Sequence, residues 1–139
     1  MKLLSILTSA FLMVLCTIIV PGKGNTQCPI FQDLPEKEKR AAEDSYVVYR
    51  DKLKDKDYEV AFMHWEIVYQ NAAAADGQRH TVYADGRKLQ LRKFRSADSQ
   101  RTKADIARVF FTLRAQQKEC YPETELEAIP EELLEFKEK

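Results

Sequence analysis

The spacing of apolar residues limits the fold of this chain more than any other feature. Tyr58, Ala61, Trp65, Val68 and Ala72 recur at alternating intervals of three and four, which puts them on one face of an α-helix. Phe62 and Tyr69 widen that face, so burial on more than one side is expected. The same period runs through Ala42, Tyr46, Tyr49 and Leu53, and again through Ile106, Phe110, Leu113 and Gln117. No useful length alternates with period two. The chain has only four glycines, two of them beyond residue 24, which argues against a many-turned sandwich or barrel and against Gly-rich phosphate loops. The expected fold is all-α: two antiparallel helix pairs joined by short polar connections, with a short helix at the C-terminus.

Local signals set the boundaries. The spacing predicts a first helix over 35–54, opened by Pro35 with Glu36 and Glu38 where a helix N-terminus favours negative charge. The charged stretch 54–57 supplies an Asp cap for the second helix. Ala72, Ala73, Ala74 and Ala75 have the propensity to prolong that helix as far as the Asp76-Gly77 turn. A third helix is expected over 79–94, carrying Val82, Tyr83, Gly86, Leu89 and Phe94. Gly86 costs about 1 kcal/mol of helix propensity, which makes sense where another helix crosses closely. Ser99 or Thr102 then caps a fourth helix that Tyr121-Pro122 ends. The organisation is thus an irregular segment 25–34, a helical domain 35–122 and an acidic tail 123–139 with one short amphipathic helix behind Pro130.

Residues 1–24 differ in kind. They carry two basic residues and no acid, and the 18 positions 3–20 are uncharged before Pro21-Gly22 breaks the run. This is the pattern of a secretory signal, and a retained anchor is the alternative, since about 20 residues span a bilayer. Cleavage would remove Cys16 and leave Cys28 and Cys120, an even pair that an oxidising compartment, periplasmic or extracellular, is expected to join; two unpaired thiols are the alternative.

Catalytic and metal constellations are missing. His64 and His80 lack a second ligand at metal-helix spacing, and the acids fall on polar helix faces. No cofactor or metal is expected. Charge is distributed unevenly: positions 79–118 hold 11 basic and 3 acidic residues, whereas 119–139 hold 8 acidic and 2 basic. A basic face of this kind suits nucleic acid, a partner that export disfavours. An anionic envelope surface is a further option, but the acidic tail folding back over helices three and four is the favoured reading.

The run Tyr58, Ala61, Trp65 resembles the second helix of a tetratricopeptide unit, with a small residue where two helices touch and large rings beside it. Tyr83 and Gly86 resemble the start of a second unit. The order Tyr49-Arg50, Tyr58/Ala61/Trp65, Tyr83/Gly86 and Tyr121-Pro122 is similar to the opening of exported tetratricopeptide-type proteins common in Bacteroidota. In such units the inner helices line a binding groove. The resemblance therefore implies partner contacts at Tyr46, Arg50 and Lys54 on the first helix and at Tyr83, Arg87 and Gln90 on the third. The function expected is protein or peptide binding in the cell envelope without catalysis, with no nucleic acid partner, and with envelope association and homo-oligomerisation both compatible. A membrane-anchored structural component and a small secreted enzyme or inhibitor are the alternatives.

Overall fold

The computed structural model describes residues 28–137. The expected signal segment, and positions 25–27 of the irregular segment, lie outside the described residues. Four long helices form the body: α1 (Glu36–Lys54), α2 (Tyr58–Ala72), α3 (Thr81–Ser96) and α4 (Gln100–Cys120). Short 3-10 segments at Phe31–Asp33 and Glu131–Phe136 flank them. α1 packs on α2 and α3 on α4, so the two expected helix pairs are present. Among the described residues no helix is long and apolar enough to cross a membrane.

Each helix boundary has a local cause. Pro35, with φ −56°, precedes α1, whose first turn carries Glu36 and Glu38 and whose last turn carries Lys52 and Lys54, both favourable to the helix dipole. Lys56 takes a left-handed φ of 61°, and Asp57 Oδ1 accepts from the Val60 amide at 3.4 Å to start α2. Asp76 Oδ1 accepts from the Gln78 and Arg79 amides, both at 3.0 Å, so that loop residues hold Arg79 and α3 begins at Thr81. Ser99 Oγ accepts from the Thr102 amide at 3.0 Å and caps α4. Ser99→Ala is expected to cost about 1 kcal/mol, read as a lowered urea midpoint with unchanged slope.

The alanine run corrects the sequence reading. α2 stops at Ala72, and Ala75 turns left-handed at φ 47°. The reason lies at the other end of the chain. Ala74 N–H donates to Pro29 O and Phe31 N–H donates to Ala75 O, both at 2.9 Å, forming a parallel bridge between Ile30 and Ala75. Tyr121 OH donates to Ala74 O at 2.9 Å. Alanine side chains are small enough for two other segments to reach this backbone, and those bonds replace the helical ones. Cys28 and Cys120, 92 positions apart, close the same spot as a disulfide with Cα atoms 5.6 Å apart.

The core centres on Trp65, 2% exposed, whose ring stacks on Tyr69 at 5.1 Å and lies 5.5 Å from Phe62. Its Nε1 donates to Val82 O at 2.8 Å. What crosses at Gly86 is this indole: a Cβ there would stand 2.3 Å from Trp65 Cζ2. A second cluster holds Phe94, Ala107, Phe110 and Leu133. Leu133 brings the tail onto α3 and α4, where Phe136 meets Phe94 edge-on and Glu132 pairs with Arg95 at 2.7 Å. The tail thus folds back as its charge suggested, and the short helix expected behind Pro130 is the six-residue 3-10 helix Glu131–Phe136, with Leu133 buried.

Candidate functional site

A cavity of about 800 Å³ runs between the C-terminal part of α1 and α3 and ends at the start of α2. Arg50 and Lys54 line it from α1, Tyr58 from α2, and Asp85, Lys88, Arg92 and Arg95 from α3. Helical spacing explains the row. Positions 85, 88, 92 and 95 share one face of α3, as 50 and 54 do on α1.

Asp85, the one acid in the lining, is buried and already matched. It accepts from the Arg50 guanidinium and from Tyr49 OH at 3.5 Å, and it lies 3.8 Å from Lys88 Nζ. Partial burial opposes the charge on Arg50, but Asp85 outweighs it and holds the guanidinium above its usual range. The Arg92 guanidinium sits 3.9 Å over the Tyr58 ring, and Lys54 pairs with Asp51 at 3.0 Å on the outer surface. The result is a channel with five cationic side chains, one internal carboxylate, and an apolar floor at Leu53 and Leu91.

Of the six residues the resemblance implied, the structure brings two to this groove. Arg50 and Lys54 line it. Tyr46 faces a separate recess of about 220 Å³ with Phe31 and Arg79, its ring edge-on to Phe31 and Tyr49. Tyr83, Arg87 and Gln90 are buried, and this corrects their assignment to an accessible surface. Tyr83 OH approaches Cys120 Sγ at 3.4 Å, Arg87 donates to Gln117 Oε1 across to α4, and Gln90 lies in a cleft with Trp65 and Ile106. The physical reason is register. Positions 83, 87, 90 and 94 form one stripe, and the rings of Tyr83 and Phe94 draw it into the interior. The groove-facing stripe is the adjacent one. Sequence reasoning missed Asp85, Lys88, Arg92 and Arg95; the signal was Asp85 itself, one of three acids within the basic stretch 79–118.

Burial has its own electrostatic effect on the tyrosines. The Tyr83 phenol is pushed up to about 12, chiefly by burial, and Tyr49 is raised further by burial and then by the Asp85 charge. A raised folded value means that these phenols contribute stability in full below the unfolded value of about 10 and lose it as pH rises through the folded ones. Base-induced unfolding is therefore expected from about pH 10 upward, with tyrosinate absorbance and loss of helical circular dichroism rising together. A tyrosinate signal complete before any helix is lost would contradict this.

Among the described residues no group of three or more His, Cys, Asp and Glu side chains is placed to hold a metal ion. No family model, curated protein or solved structure matches the chain.

Proposed function

We propose that this protein is an exported, non-catalytic helical-repeat module that binds a negatively charged protein or peptide segment in the groove between α1 and α3. The observation that carries the reading is the charge of that groove. Five cations line an open channel in which Asp85 engages Arg50 and Lys88, Asp51 pairs with Lys54 and Glu132 with Arg95, so three carboxylates leave a net charge of two positive for a ligand. Arg50, Arg92 and Arg95 offer planar donors suited to carboxylates, and Leu53 and Leu91 add apolar contact. Export is supported by the pattern of residues 1–24 and by the Cys28–Cys120 bond, which persists in oxidising compartments.

Comparing Lys54→Ala/Arg92→Ala with Arg101→Ala/Lys103→Ala, at matched salt and thermal stability, tests this against partners crosslinked in the envelope fraction. The groove pair is expected to lose about tenfold or more in affinity and the second pair little. Equal losses would indicate diffuse attraction and reject the groove.

A further inference from the structure

We infer that the groove takes a second copy of this chain, whose acidic strap at 123–127 enters it head to tail; this rests on the groove reading above and names its occupant. The strap is built for presentation. Exposure alternates along it: Glu123, Glu125 and Glu127 face solvent while Thr124 and Leu126 are half-buried. Glu123 sits in the turn that Thr124 N–H closes on Tyr121 O at 3.0 Å, and Glu125 and Glu127 follow it with Leu126 half-buried between them, so these two carboxylates are exposed close together. None of the three acids forms an ion pair among the described residues. The backbone beneath them is pinned, because Lys118 donates to Pro122 O and Arg114 donates to Glu127 O. The side chains are thus offered without the cost of ordering a loose chain.

The groove has a matching repeat. Lys88, Arg92 and Arg95 follow one another along α3 at about 6 and 4.5 Å of axial rise, and Arg50 and Lys54 at about 6 Å along α1. Laid along the channel, Glu125 and Glu127 meet Lys88 and Arg92, the α3 cations of the lining that the molecule's own tail does not engage. Glu132 already engages Arg95 at the end of the groove, which shows within one molecule how a tail carboxylate and a groove cation pair. The strap lies against α4 and contributes nothing to the groove lining, so a molecule does not fill its own groove. Since the surface given differs from the surface received, each added copy keeps one of each free, and association runs past the dimer, into a ring where the rotation per copy closes and a filament where it does not. Beyond residue 24 the chain carries 20 basic and 22 acidic residues, so little net repulsion opposes this.

The test is sedimentation of the disulfide-intact protein, purified from its producing cells, over a range of concentration and salt. Mass is expected to grow with concentration at low salt and to return to monomer at high salt. Lys54→Glu/Arg92→Glu should abolish the growth, and so should Glu125→Lys/Glu127→Lys. Mixing the two variants should restore association, because each acidic strap again meets a basic groove and each basic strap an acidic one. Thermal melts confirm that both variants are folded. A protein monomeric under every condition, assembly that survives high salt, or growth unaffected by either variant would overturn the inference. If the chain stays monomeric while the groove variant loses a foreign partner, the inference fails and the proposed function stands.

Discussion

Replacing Cys28 and Cys120 together by alanine is expected to cost about 4 to 5 kcal/mol of stability in the chain-entropy account of a cross-link. The bond joins positions 92 residues apart and so restricts most of the unfolded chain. The native side adds to this. The segment Pro29–Phe31 is fastened to the bundle by the bond from Ala74 N–H to Pro29 O, the bond from Phe31 N–H to Ala75 O, and the disulfide beside them. Urea unfolding of the double variant should show a midpoint lowered accordingly, with the slope per molar changed as the denatured state expands. A loss below about 1 kcal/mol would mean that the wild-type unfolded ensemble is already compact around this pair.

Gly86→Ala should destabilise by about 3 kcal/mol, although alanine is the better helix former by about 1 kcal/mol. The new methyl would meet Trp65 Cζ2 at 2.3 Å, Cε2 at 2.7 Å and Nε1 at 2.9 Å. The indole has little room to retreat: Tyr69 is stacked on it, Phe62 is beside it, and its N–H is committed to Val82 O. Combining the change with Trp65→Phe removes the atoms that clash. In that background Gly86→Ala should turn neutral or favourable, a coupling well above the few tenths expected of independent sites. Additive losses would place the strain elsewhere.

These two sites also show what the sequence could and could not reveal. Gly86 was legible as a close approach because a glycine inside a helical pattern needs a reason, but a pattern does not say which group approaches. The helices themselves were legible because each has an apolar stripe and polar ends. Ala72 to Ala75 were not, since intrinsic propensity favours helix there and the competing hydrogen bonds come from Pro29, Phe31 and Tyr121, residues distant along the chain. Of the residues expected on α1, Arg50 and Lys54 line the channel. On α3 the face was rotated: the tyrosine of the assumed motif is a core residue, and the cations one stripe over are the ones that reach the channel.

The bond between Cys28 and Cys120 makes a covalent ring of nearly the whole helical body. Cleavage of the peptide bond at any one loop within that ring, such as the exposed 97–99 turn between α3 and α4, leaves a single molecule whose pieces part only on reduction. Tension applied at the two ring cysteines runs through sulfur and bypasses all four helices, so the groove between α1 and α3 keeps its shape under a pull that would unravel an open chain.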